Sequence, residues 1–300
     1  MVPGLHVARD ALGYNPIYTF RGIYSTFNPQ VLMLVNGIPL TNLFYGDRNQ
    51  AWGGMPVEAI SRVEIIRGPG SALYGADAFA GVINIITKSG GEIGGLNVGY
   101  RQGSFNTKDT WLSYGEKFNN NLEVSFVVEY SESDGQDEII SADAQTLLDS
   151  YFLTNASLAP GSVSLERDTL DIRGEIKKGN LTVRSGYQFR EGGNGAGIAQ
   201  ALDPTNQISS KRINLDIGYV EKDLFKNWML SGQISGLRTT QEIEKDLILY
   251  PAGSTGPFIP PIGVFTDGVI GNPEVYEKHY RASLDISSMG FDMHEFRAGA

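Results

Sequence analysis

The sequence predicts a small α+β domain followed by antiparallel transmembrane β-barrel strands. Three observations carry this prediction. Near residue 91 the chain changes rhythm, from short continuous apolar runs to strict apolar–polar alternation. The alternating segments recur, each bounded by turn residues. Their connections are short and long in turn, the layout of a membrane barrel with tight turns at one rim and extended loops at the other.

Composition narrows the function classes. A net charge of −10 at pH 7 argues against nucleic acid as a partner, since such proteins carry a basic footprint. With no cysteine there is no disulfide framework, thiolate metal site or cysteine nucleophile. No uninterrupted apolar run approaches the length of a transmembrane helix. Glycine (37 residues), with 14 Tyr and 14 Phe, fits an all-β region rich in turns and amphipathic aromatic positions.

In the first part, Val31–Val35 is an apolar run of buried-strand type, closed by the two-residue turn signal Asn36-Gly37 leading into Ile38–Leu40. Pro56–Ile60 reads as a short helix with Glu58 in its first turn. Val63–Ile66 and Val82–Ile86 are further strands. The glycines at 68, 70 and 75 between them invite a phosphate-loop reading. That reading fails, because Leu73 occupies the third glycine position and no Lys follows Gly75.

In the second part, strands are expected near 96–103, 108–116, 122–131, 168–177, 181–190, 211–221, 228–238 and 278–287, with another starting near 293. In Leu122–Tyr130 the even positions are all apolar; in Ile213–Tyr219 the odd ones are. Such dyads suit half-buried soluble sheets and membrane barrels alike. Connection lengths separate the two. Lys117–Asn121, Lys178–Asn180 and Lys222–Asn227 are short links, while the third-to-fourth and seventh-to-eighth links run to dozens of residues and the fifth-to-sixth is intermediate. Tyr100, Tyr130, Tyr187, Phe189, Tyr219 and Trp228 near strand ends are candidates for interfacial girdles.

No catalytic constellation stands out, and an enzyme is not expected. His6, His279 and His294 lack the paired spacing of a zinc site, and each reads as a core or surface histidine. Asp134, Asp137, Glu138 and Asp143 read as a solvated acidic loop.

Residues 3–88 resemble the plug domain of TonB-dependent outer-membrane receptors. The pieces that carry the resemblance are Pro3–Val7, Phe20-Arg21-Gly22, Gln30–Pro39, Pro56–Pro69, Ser71–Gly75 and Ala80–Lys88, in that order. The resemblance implies a plug over residues 1–91 and the first part of the barrel, about nine strands, over 92–300. The complete barrel it implies has about 22 strands. Arg21 and Arg67 match the arginines that latch plug to barrel, facing glutamates on wall strands outside this segment; a guanidinium fork suits that pairing.

The resemblance further places ligand contacts at the plug tips: Tyr14 and Asn15 on one, and Phe44, Tyr45, Asp47, Arg48 and Trp52 on the other. Aromatic faces and an arginine suit an anionic metal chelate. Implied partners are TonB, a ferric siderophore or similar chelate, and outer-membrane lipid, in a Gram-negative bacterium; no cofactor and no metal site are implied. Cobalamin, haem or glycan transport, a signalling receptor, and a bacteriocin or phage receptor are the alternatives. A TonB-coupling box and an export leader are not visible, so the chain is read as part of a longer protein. Alone it is expected not to form a detergent-stable barrel, because an open lipid-facing sheet leaves an unpaired edge.

Overall fold

The computed structural model describes residues 2–9, 16–25, 29–40, 42, 54–197, 201–225, 227–255, 263–291 and 294–299. In the first part, β1 (Leu5–Arg9) pairs antiparallel with β2 (Pro16–Phe20). A separate four-stranded sheet follows, with β3 (Val31–Val35), β4 (Ile38–Pro39), β5 (Ile60–Arg67) and β6 (Gly81–Thr87) in the order β4-β3-β6-β5. Its β3–β6 pair is parallel. The run Val31–Leu34 is buried on both faces, as a continuous apolar strand requires. Phe20, Val31, Ala80 and Ile83 form one core cluster, and Leu32, Leu34, Ala78 and Val82 another. The turn between β3 and β4 takes φ of 51° at Asn36 and 82° at Gly37, so both residues are left-handed, as the Asn-Gly signal anticipates. The expected short helix is a single 3-10 turn, Val57–Ala59.

A capping box at Ser89 and Glu92 then starts the one-turn helix Gly90–Ile93, which leads into the second part. There, nine strands pair with their sequence neighbours in one antiparallel sheet. They are β7 (Gly95–Gln102), β8 (Lys108–Lys117), β9 (Leu122–Ser133), β10 (Arg167–Lys178), β11 (Leu181–Gly192), β12 (Gln207–Phe225), β13 (Trp228–Lys245), β14 (Val275–Phe291) and β15 (His294–Gly299). All nine correspond to expected strands. Strands β12 and β13 run to 19 and 18 residues, longer than the alternating pattern marks, because their loop-side ends carry polar residues on both faces.

The alternation has a definite sense. On β12 the apolar face points outward: Ile213, Leu215, Ile217 and Tyr219 are 52, 52, 45 and 44 % exposed, while Arg212 and Asp216 between them are buried. An apolar band presented outward over consecutive strands suits lipid. Tyr100, Tyr130 and Tyr219 are exposed as girdle residues should be, and Tyr187, Phe189 and Trp228 are half-buried. Among the described residues no helix is long and apolar enough to cross a membrane.

Asp134, Asp137 and Glu138 are exposed, as a solvated acidic loop requires, but Asp143 departs from that expectation. Asp143 caps the helix Ala144–Phe152, accepting hydrogen bonds from Thr146 N (2.7 Å), Leu202 N (2.7 Å) and Ser157 Oγ (2.8 Å). Asp149 accepts from Gln145 Nε2, Thr154 Oγ1, Ala156 N and Ser157 N. Asp203, in the next long connection, accepts from Ile248 N (2.8 Å) in the one after that. The long loops therefore knit together at one rim.

Burial alone would raise the Asp149 carboxyl, but the bonds from Thr154, Ser157, Gln145 and Ala156 outweigh it and hold it below the ordinary aspartate range. A lowered folded pKa gives stability that is complete at neutral pH and is lost as pH falls through the folded value. Amide exchange in residues 144–157 is thus expected to stay slow down to about pH 4 and to accelerate below it. Asp149→Ala should give fast exchange already at neutral pH, since Ala156 N and Ser157 N lose their acceptor at a cost of about 1–3 kcal/mol.

Candidate functional site

The inward face of the wall is where the chain concentrates charge. Strand alternation places Asp171, Arg173 and Glu175 of β10, Arg184, Gln188 and Arg190 of β11, and Arg212 and Asp216 of β12 on the side turned toward the small sheet. Register sets them in rows. Glu175, Arg184 and Asp216 lie opposite one another on three strands, and Arg184 pairs with both carboxylates at 2.6 and 3.0 Å. Asp171 pairs with Arg173 at 3.1 Å and with Arg190. Arg190 and Arg212 are each only 3 % exposed, so these are interior charges. Such charges are tolerated only when hydrogen-bonded or paired.

Several of these side chains reach across to the small sheet and hold it by its backbone. Arg190 Nη2 donates to the Gly54 carbonyl at 3.1 Å, and Gln188 Nε2 donates to the same oxygen at 3.3 Å. Arg212 Nη2 donates to the Leu40 carbonyl at 3.3 Å. Gln233 Nε2 reaches the Asn36 carbonyl at 3.5 Å. Leu40 and Gly54 flank segment 41–53, so the wall grips that segment at both ends. Beside this grip, Arg101 faces Asp109 (2.7 Å), Glu58 of the small domain (3.4 Å) and Glu129 (3.8 Å), and stacks over Trp111 at 5.1 Å. A cleft of about 340 Å³, bordered by Gly54, Arg101, Glu129, Asp171 and Arg190, opens next to it.

Backbone contacts complete the junction. Gly90 is buried so closely against the wall that a Cβ there would meet the Val124 carbonyl oxygen at 2.3 Å and that of Glu116 at 2.5 Å.

Of the residues singled out from sequence, Tyr14, Asn15, Phe44, Tyr45, Asp47, Arg48 and Trp52 lie outside the described residues. Arg21 and Arg67 are brought together on one turn. Arg21 N donates to the Gly4 carbonyl at 2.9 Å, and Arg67 Nη1 donates to the Pro3 carbonyl at 3.1 Å. Both are exposed, and among the described residues neither forms an ion pair. His279 is buried and meets Glu277 at 3.1 Å on the inward face of β14. Sequence reasoning missed Asp171, Arg173, Arg190 and Arg212. The available signal was charge recurring at every second residue on the polar side of consecutive strands.

Comparison with known proteins bears on this arrangement. Residues 1–82 match the TonB-dependent Receptor Plug Domain family. Plug and wall together, 99 % of the chain, share the fold of the copper transporter OprC with a TM-score of 0.67.

Residues 1–82 belong to the TonB-dependent receptor plug domain family.

The copper transporter is 16 % identical, and the chain spans 41 % of it. The ferric enterobactin receptor PfeA from Pseudomonas aeruginosa is 18 % identical, with a TM-score of 0.64 over 99 % of this chain and 44 % of that one. At these identities the likeness concerns the fold alone. In sequence, the vitamin B12 transporter BtuB of Vibrio vulnificus (strain CMCP6) is 37 % identical over 142 residues, which is 45 % of this chain and 22 % of that protein. The chain thus spans less than half the length of these relatives. As in the family generally, the strand wall belongs to the outer membrane of a Gram-negative cell, and the four-stranded sheet seated against its inner face lies in the plug.

Proposed function

We propose that the receptor containing this chain imports a scarce metal chelate across the outer membrane, with residues 1–91 as the gate and 92–300 as the first part of the surrounding wall. The observation that carries this reading is the polar grip described above. The wall holds the plug by side-chain donors on the carbonyls of Asn36, Leu40 and Gly54. Water replaces such bonds when the plug moves, so a pull transmitted from TonB opens a path at modest cost. Arg21 and Arg67, gathered at Pro3–Gly4, are the proposed latch. The tips bearing Tyr14, Asn15, Phe44, Tyr45, Asp47, Arg48 and Trp52 are the proposed ligand contacts. Binding and gating, not catalysis, are the work of this architecture.

A ferric siderophore is the proposed cargo. Cobalamin is the second reading, favoured by the 37 % identity to a vitamin B12 transporter. A strain lacking the gene should fail to grow on one iron–siderophore source while growing on free iron at high concentration. Loss of growth only where cobalamin is limiting would select the second reading. Equal growth on every source would remove the import proposal.

A further inference from the structure

Beside the Leu40 anchor lies a small cavity of about 50 Å³, between the turn of β3–β4 and the inward face of β9 to β12. Its border includes Lys88, Arg173, Arg184 and Arg212. Arg184 is satisfied by its two carboxylates. The others are not. Among the described residues Arg212 has no carboxylate within ion-pairing distance, and its Nη1 is buried without a hydrogen-bond partner. Arg173 shares Asp171 with Arg190, and its Nε is likewise buried and unpartnered. Lys88 makes no ion pair among the described residues. Among the described residues, the cluster of Lys88, Arg173, Arg184, Arg190 and Arg212 pairs with Asp171, Glu175 and Asp216, and Glu277 acts on Arg212 from beyond ion-pairing distance, which leaves one positive charge over.

A buried charge without a counter-charge is among the least favourable arrangements in a protein. Lysine escapes it by losing its proton, but arginine does not. The remaining remedy is an anion brought in from solution and held by directed N–H donors. The cavity has room for an ion of chloride size with water beside it, and none for a chelate or a nucleotide.

We propose that this cavity binds a small inorganic anion of the halide class, held by Arg212 Nη1 and Arg173 Nε with Lys88 completing the charge balance. The anion sits where Arg212 also holds the Leu40 carbonyl, so it cements plug to wall. It takes no part in binding the imported cargo.

The test uses the receptor in detergent with bromide as the probe. Crystals in bromide should show an anomalous peak between Arg212 and Arg173. Exchanging gluconate for chloride at fixed ionic strength should raise the unfolding temperature by about 2–4 °C. Arg212→Gln should abolish that rise and Arg212→Lys should reduce it. If neither variant folds, the anomalous map and the halide dependence of the unsubstituted receptor decide. Water density without anomalous signal, together with an unfolding temperature indifferent to halide, overturns the proposal.

Discussion

Replacing Asp171 with alanine is expected to destabilise the receptor by about 3–5 kcal/mol. The carboxylate is 4 % exposed and serves both Arg173 and Arg190. Its removal strands two guanidinium groups in the interior, where neither loses its proton. The loss is not confined to the wall. Arg190 also holds the Gly54 carbonyl, so a displaced Arg190 weakens the attachment at Gly54 to the single bond from Gln188. Two readouts separate these effects. Urea unfolding reports the total cost, and proteolysis near Gly54 reports release of the plug. The double substitution Asp171→Met with Arg190→Met should recover part of the stability, because it removes two of the charges together. It should not fully recover protection at Gly54, because that carbonyl keeps only its second donor, Gln188. An Asp171→Ala receptor that unfolds at the unsubstituted denaturant concentration would show that these charges are solvated.

Gly90→Ala is expected to cost about 1–3 kcal/mol, and to shift the one-turn helix Gly90–Ile93 off the wall. The added methyl would lie 2.3 Å from the Val124 carbonyl oxygen and 2.5 Å from that of Glu116, both main-chain atoms of paired strands with no freedom to rotate away. The contact is reciprocal. A Cβ at Gly115 would meet Ile93 Cβ at 2.5 Å and the Gly90 carbonyl oxygen at 2.6 Å. Gly91→Ala is the internal control, since its methyl would meet only Lys117 Cβ at 3.8 Å. That variant should stay within about 0.5 kcal/mol of the unsubstituted receptor. Equal melting temperatures for the Gly90 and Gly91 variants would refute the close approach.

How much of this was legible in the sequence depends on which environment a residue reports. The wall strands are legible because each samples two contrasting media, and Ile213, Leu215 and Ile217 differ sharply from the Asn214 and Asp216 set between them. The turn at Asn36-Gly37 is legible because its left-handed backbone needs those residues. The grip on the plug is not. The polar side of a strand looks alike whether it meets water or another segment's carbonyls, and nothing local distinguishes Arg190 from a solvated arginine. Its role depends on Gly54, 136 residues away in sequence. Helix Ala144–Phe152 was hidden for a related reason. Asp143 and Asp149 count as solubilising charges until their donors, Leu202 N, Ser157 N and Ser157 Oγ, are seen to close a capped turn. The β1–β2 pair escaped because five residues per strand give alternation little room to show.

The anchoring of segment 41–53 at Leu40 and Gly54 has a consequence for how such receptors diversify. Both anchors are main-chain carbonyls, so at Leu40 and Gly54 the wall recognises backbone and no side chain. Under the proposed function, a length-preserving exchange of residues 43–53 is expected to alter what the plug offers to a ligand while these two carbonyls keep their donors. Selection could then explore new cargo without renegotiating either contact.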